Sequence, residues 1–229
     1  MRKILLLGLA REGSTRVKNK MTRNLYKGKS LFSIYLKKFE LLQDYTPFRG
    51  VAMAVYPGDK ILWKMANKSK VPIIARDENS VKGFQKVSGI MSFLKSLRHK
   101  YTHIMAVNGC MPFLKVDTIM EAGRYFKDNE AKSMIAAVKR QNWYWNKDGK
   151  MINKKDPKEM ATQLSPPVYE TIHTFHTAPI KRILNQDKYW LMEKNDPALF
   201  EIKNPSECID VDTMEDLNIV KSLMKGGFK

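Results

Sequence analysis

Cysteine is scarce in this chain. There are two in 229 residues, Cys110 and Cys208, and their separation suggests neither a disulfide framework nor a zinc ribbon. Long apolar runs are missing too. No stretch approaches the roughly 18 apolar residues of a membrane span. The opening run "ILLLGLA" is short and is cut off by Arg11 and Glu12, unlike a signal peptide. A cytoplasmic protein with no membrane insertion is expected. Acidic residues are outnumbered, 23 against 41 basic, giving a net charge of +18. Such a charge permits a polyanionic partner. No block of five or more like charges concentrates it, however, so the lysines read as a solvated surface and nucleic acid is not the expected partner.

What is present describes a globular protein: 43% hydrophobic and 28% charged residues, in a length suited to one α/β domain. Strand and helix patterns alternate. Lys3 to Leu9 is a continuous apolar run, as in a buried parallel strand. Leu31 to Leu42 has helical spacing. Gly50 to Tyr56 reads as a strand ended by Pro57-Gly58, and Asp59 to Ser69 as a helix. Val71 to Arg76 is a short strand whose Pro72 favours a sheet edge. Val81 to Leu97 reads as a helix with Phe84, Val87, Met91 and Leu94 on one face. Thr102 to Asn108, Val116 to Phe126 and Ser133 to Lys139 read as strand, helix and strand. This order predicts a three-layer α/β/α fold around a mostly parallel sheet.

The pattern changes at "NWYWNKDGKMIN", Asn142 to Asn153, which reads as a hairpin with Trp143 and Trp145 on one face. With the polar stretch that follows, residues 142–167 form an inserted arm within a single domain of residues 1–229. Regular structure resumes at "YETIHTFH" and continues through a helix around Ala178 to Leu184.

Two constellations carry chemistry. The first is "LAREGSTRVKNK", Leu9 to Lys20, where Arg11, Arg16, Lys18 and Lys20 surround Gly13 and Ser14 directly after the first strand. A basic loop with small residues at that place suits a phosphate. The second is "IDVDTMEDL", Ile209 to Leu217. On a strand, Asp210 and Asp212 at i and i+2 point to the same face. Two hard oxygen ligands there suit Mg²⁺ with substrate phosphates completing its shell. The competing reading is that Asp212 or Thr213 caps the following helix, with Glu215 and Asp216 in its first turn.

These residues resemble a known family. "LAREGSTRVKNK" is similar to the A-R-x-G-S-T-R-x-x-x-K signature opening the cytidylyltransferases that activate sugar acids. These are the CMP-acylneuraminate and CMP-Kdo synthetases and their relatives in polysaccharide biosynthesis, lipopolysaccharide included. "IDVDTMEDL" resembles the I-D-[IV]-D-T-x-x-D-L sequence of the acylneuraminate branch. "VNGCMPFLKVDTI" sits where the family has a Q-P-T-S-P-like stretch, with Asn108 in place of Gln. "IIAR" matches a short strand ending in arginine, here Arg76.

The resemblance implies a nucleotide-diphosphosugar-transferase type of fold and dimerisation through the inserted arm. It implies transfer of CMP from CTP to a 2-keto sugar acid with release of pyrophosphate. It also implies roles. Arg11 and Lys20 hold the triphosphate, and Gly13 and Ser14 admit it to backbone amides. Asp210 and Asp212 bind Mg²⁺, and with Arg11 and Lys20 they make the catalytic set. Leu9, Ala10 and Arg76 lie near the nucleoside, and Asn108 faces the sugar.

The sequence departs from the family at two further places. Its T-D stretch is replaced by Tyr56-Pro57-Gly58-Asp59, so that a carboxylate is missing or displaced by one residue, and its P-N-G-A segment by "YETIHTFH". His173 and His176, three apart on a strand, are expected on opposite faces and make a poor metal pair. His99 and His103 read as ordinary structural histidines. Two alternatives stay open: a non-catalytic or altered relative that binds nucleotides or polyanions, and a nucleotidyltransferase for another base or sugar.

Overall fold

The computed structural model describes residues 2–43, 47–82, 86–153 and 161–228. Strand β1 (Ile4–Leu9) is followed by a small ribbon of β2 (Asn24–Tyr26) and β3 (Lys29–Ser30). Helix α1 (Leu31–Leu42), β4 (Gly50–Val55), α2 (Lys60–Lys68) and β5 (Ile73–Ala75) come next. Then follow α3 (Val87–Ile90), β6 (His103–Val107), α4 (Val116–Asp128) and β7 (Met134–Arg140). The chain closes with β8 (Val168–Pro179), α5 (Ile180–Gln186), β9 (Ala198–Glu201) and α6 (Met214–Lys225).

Seven strands form one sheet in the order β5-β4-β1-β6-β8-β7-β9. Every pairing is parallel except the two made by β8. The apolar run of β1 follows from its central place. Ile4 and Leu6 join the core on one face, and Leu5 and Leu7 the core on the other, as a two-residue period requires. Helices α1, α2, α4 and α6 cover the first face; α3, residues 92–96 and α5 cover the second. The three-layer α/β/α expectation holds.

Helix α1 shows how locally the sequence dictates this. Ser30 caps it in a reciprocal box with Ser33, and Leu31, Phe32, Tyr35, Leu36, Phe39 and Leu42 are buried. Each large side chain so buried is worth about 1.5–3 kcal/mol. Short β5 is an edge strand, in keeping with Pro72 just before it. Among the described residues no helix is long and apolar enough to cross a membrane.

Three expectations need correction. Val81 to Leu97 is not one helix. A 3₁₀ turn at Asn79–Val81, the four residues of α3 and a second 3₁₀ turn at Ser92–Ser96 replace it. "VSGIMS" has weak helix formers, and the Ser88 amide donates to the Asp187 carboxylate at 2.7 Å. Met91 and Leu94 are nonetheless fully buried; Phe84 lies outside the described residues.

Second, Asn142 to Asn153 is a turn held by one bridge, Trp145 with Met151, rather than two strands. The Asn146 side chain accepts from the amides of Asp148 and Lys150 at 3.1 and 2.8 Å, which favours an Asx turn over a ladder. Residues 154–160 of the expected arm lie outside the described residues. Third, Asp210 and Asp212 are not on a strand but on an irregular segment leading into α6.

Candidate nucleotide and metal site

The site is built where β1 and β6, neighbours in the middle of the sheet, come to their C-terminal ends. Open α/β sheets bind ligands in such crevices. Tyr35 of α1 holds the two ends together. Its buried hydroxyl donates to the Val107 carbonyl at 2.6 Å and accepts from the Leu9 amide at 3.2 Å. Gly109 makes room for that ring: a Cβ there would stand 2.6 Å from Tyr35 Cδ1.

A cavity of about 490 Å³ opens beside these strand ends. Leu9, Ala10, Arg11, Gly13, Ser14 and Lys20 line it from the first loop. Arg76 and Asn108 line it from the ends of β5 and β6. Eight residues singled out from the sequence are thereby gathered at one cavity.

Alternation within the loop decides which cation goes where. Val17 is fully buried and Met21 nearly so, so they pin the loop to the core. Lys20 is drawn inward: its ammonium donates to the Val211 carbonyl at 2.8 Å and to Asp212 Oδ1 at 3.2 Å. Burial works against its charge, but Cys110 and Asp212 outweigh that and hold the ammonium above its usual range. Lys18 is exposed and does not line the cavity. Arg11 is exposed at the rim, with Nη1 3.3 Å from the Val81 carbonyl. Gly13 has no packing reason to be glycine, since a Cβ there would meet nothing within 4 Å. The Ser14 amide donates to the Glu12 carbonyl at 2.7 Å.

Asp210 and Asp212 do not line the cavity; they come from the far end of the chain to stand behind it, joined to its wall through Asn108 and Lys20. The amide of Val211 between them donates to the Cys110 carbonyl at 3.0 Å, and Val211 is fully buried. That contact gives the irregular segment the local placement expected of a strand. Asn108 Nδ2 donates to Asp210 Oδ2 at 3.1 Å. Burial, with Asp212 nearby, pushes the Asp210 carboxyl up, against the pull of Lys20 and Asn108. Asp210 Oδ1 is buried with no hydrogen-bond partner among the described residues. The competing cap reading is resolved for Asp212. The N-cap of α6 is Thr213, in a reciprocal box with Asp216.

Several residues at the site were given no role from the sequence. Arg16, one of the four cations of the opening loop, lines the cavity and pairs with Asp212 Oδ1 at 2.9 Å. Glu12 and the displaced Asp59 clasp the loop to α2. The Glu12 amide donates to Asp59 Oδ2 at 3.0 Å, while Glu12 Oε1 accepts from the amides of Ile61 and Leu62 at 3.0 and 3.3 Å. A carboxylate at those first-turn amides is stabilised by the helix dipole. Burial raises the Asp59 carboxyl, against the pull of the Glu12 amide and of Arg76 and Arg11.

Arg76 is largely committed to the fold, donating to the Ser80 carbonyl and, at 3.2 Å, to its hydroxyl. Burial, with Arg11 adding to it, lowers its guanidinium to about 10. Cys110 is a free thiol with Sγ 4.0 Å from Met21 Sδ; burial pushes it up, against the pull of Lys20.

The histidines correct the sequence reading. Between β7 and β8 the register shifts: Ile135 faces His176, but the next residue, Ala136, faces Ile172. The extra residues of β8 break the alternation, and His173 and His176 both line the cavity. His103 is structural as expected, with Nδ1 2.8 Å from Thr102 Oγ1 and its ring edge-on to Phe126.

No protein-family model and no curated protein matches the chain in sequence. Solved structures do match. CMP:2-keto-3-deoxy-manno-octonic acid synthetase complexed with CTP aligns at a TM-score of 0.67 and 12% identity, over 98% of this chain and 99% of that one. The 4-diphosphocytidyl-2C-methyl-D-erythritol synthase of Anaerococcus prevotii aligns at 0.65 and 13%, over 98% and 99%. A cytidylyltransferase from Leptospira borgpetersenii aligns at 0.57 and 13%, over 98% and 86%. At these identities the likeness establishes the architecture: this chain has the fold of the cytidylyltransferases.

Proposed function

We propose that the protein is a Mg²⁺-dependent cytidylyltransferase that moves CMP from CTP onto a 2-keto sugar acid, acylneuraminate-like, and releases pyrophosphate. One observation carries this reading. Lys20 of the opening motif hydrogen-bonds Asp212 of the closing motif, 192 residues away, beside a cavity at the ends of parallel strands. Two segments whose sequences resemble motifs of one enzyme family meet in space.

In this reaction an acceptor hydroxyl attacks the α-phosphorus and negative charge grows on the leaving pyrophosphate. Fixed cations aimed at that charge lower the barrier. Arg11, at the rim, and Lys20, deeper in, hold the triphosphate, and open space beside Gly13 lets it approach the loop. Leu9, Ala10 and Arg76 border the nucleoside, and Asn108 borders the sugar.

The carboxylates fit a metal ion. Asp210 Oδ1 is a buried oxygen without a partner among the described residues, next to Asp212. Among the described residues there is no group of three or more His, Cys, Asp or Glu that could hold a metal. Mg²⁺ is commonly bound by one or two carboxylates with water and substrate phosphates, so Asp210 and Asp212 would hold it. When bound, it would neutralise phosphate charge beyond what Arg11 and Lys20 supply.

The acceptor has a second reading, a polyol, favoured by the likeness to the methylerythritol enzyme. We also propose a homodimer formed through the 142–167 arm and the first half of β8. Trp145, Ile152, Leu164 and Tyr169 are exposed there.

The test is pyrophosphate release from each of four nucleoside triphosphates, crossed with sugar acids and phosphorylated polyols, with Mg²⁺ or with chelator. Release with CTP and a sugar acid, abolished by chelator, is expected. Comparable turnover with UTP or ATP would move the protein to another nucleotidyl transfer. Nucleotide binding that weakens steeply with salt and never leads to turnover would make it a non-catalytic binder.

A further inference from the structure

His176 forms part of the cavity wall, yet both its ring nitrogens are buried and have no hydrogen-bond partner among the described residues. Native structures rarely leave such groups unsatisfied, and each instance asks for a reason. The fold around the ring does not provide one. The strand neighbours of His176 are Ala106 and Ile135. The ring packs edge-on against Tyr189, with centroids 4.1 Å apart, and against Trp190 at 5.8 Å. These contacts hold its body and leave its nitrogens idle. The χ2 torsion of histidine is broad rather than locked in one staggered well, so turning a nitrogen toward the cavity asks of the ring a rotation within the wall it already forms. Burial, with His173 adding to it, lowers the imidazole to about 4, so the ring is neutral at ordinary pH.

A neutral imidazole has one donor nitrogen and one acceptor nitrogen. Its complement is a hydroxyl group, which donates and accepts. A carboxylate or phosphate could use only the N–H. We infer that His176 reads a hydroxyl of a sugar or polyol bound in this cavity and is a specificity-determining residue of the site. The inference rests on the nucleotidyl-transfer reading above. Two sources share this chemistry: the ribose of the nucleotide and the acceptor.

His176→Phe keeps a ring for the edge contacts and removes both nitrogens. CTP and 2′,3′-dideoxy-CTP are titrated calorimetrically into wild type and H176F. Ribitol and 2-keto-3-deoxy-manno-octonic acid are then titrated into each protein saturated with CMP. If His176 reads the ribose, wild type prefers CTP over the dideoxy analogue by about 10-fold and H176F loses the preference. If it reads the acceptor, CTP binds both proteins equally and the affinity of one acceptor probe falls by about 10-fold in H176F. In either case His176→Asn, which keeps a donor and an acceptor, recovers part of the loss, as a purely structural role would not predict.

Equal behaviour of wild type and H176F in both arms overturns the proposal. Should H176F not fold, ¹⁵N-histidine NMR of wild type replaces it. A shift of the His176 nitrogens on adding CTP or an acceptor probe supports the proposal, and no shift with any of them overturns it. Failure of wild type to bind any nucleoside triphosphate removes the nucleotidyl-transfer reading and this proposal with it. CTP binding without a His176 effect removes this proposal alone.

Discussion

Arg11 and Lys18 look alike in the sequence, as two exposed cations on one loop, and the structure separates them. Arg11 lines the cavity and Lys18 does not. Arg11→Ala is expected to lower kcat/KM by roughly 10- to 150-fold, since a charge-assisted bond to phosphate is worth about 1.5–3 kcal/mol. Lys18→Ala should change it little, because an isolated exposed charge contributes less than about 1 kcal/mol. Steady-state kinetics with CTP and Mg²⁺ compare the two. Asp212→Asn should abolish Mg²⁺-dependent turnover while leaving the thermal midpoint near wild type. Thr213 and Asp216 cap α6 without the Asp212 side chain, so loss of the fold in this variant would count against the metal reading.

Among the elements, α1 has its influence on the site through one hydroxyl. Tyr35 ties Leu9 of β1 to Val107 of β6. Tyr35→Phe leaves a buried carbonyl and an amide without this partner. It should lower stability by about 1–3 kcal/mol in urea unfolding, with a rise in KM for CTP because Leu9 and Ala10 border the cavity. An unchanged unfolding midpoint would show that the two strand ends need no such tie. Elements with a strong pattern, such as β1 and α1, were legible in the sequence because burial and capping act locally on them. Val81 to Leu97 was not. Its apolar spacing is real, as buried Met91 and Leu94 show, but Asp187, remote in sequence, takes the Ser88 amide and so marks the start of a separate short helix there.

For the whole molecule, two half-buried histidines contribute to the loss of stability in acid. Burial lowers His103 and His176 from their ordinary value of 6.5 to about 4, with Arg2 and Arg182 adding to the effect at His103 and His173 at His176. Between those values the unfolded chain binds more protons than the native one. Their stabilising contribution is therefore present above pH 6.5 and is lost as pH falls toward 4. For His176 the full loss is roughly 3 kcal/mol. Asp59 and Asp210, raised by burial, work in the opposite sense over part of this range. Thermal midpoints from pH 7 to pH 4 should fall, and less steeply in His176→Phe. An equal slope in that variant would exclude His176 as a contributor.

Assembly belongs to the same scale. Residues Val168 to Ile172 of β8 pair with β7, whereas pairing with β6 begins only at Phe175. Among the described residues, this part of β8 has no strand on its other side, and such an edge with exposed aromatic neighbours suits a second copy of the chain. Light scattering at micromolar concentration should find a dimer, and replacing residues 142–163 by a short Gly/Ser linker should give a monomer. A wild-type monomer would refute the arm's role.

The sequence by itself determined the alternation of strands and helices, the central buried strand and the two motifs. Periodicity, capping and turn chemistry act over a few residues, and a motif is local by construction. Only the tertiary structure decided which of those residues share a cavity. It made Thr213 rather than Asp212 the helix cap, drew Lys20 onto Asp212, and let Glu12 cap a helix 49 residues further on. It also put His173 and His176 at one cavity through a register shift that no alternation rule foresees. Such placements arise from pairing between distant segments, where the partner of a strand or a carboxylate is chosen by the packing of the whole sheet.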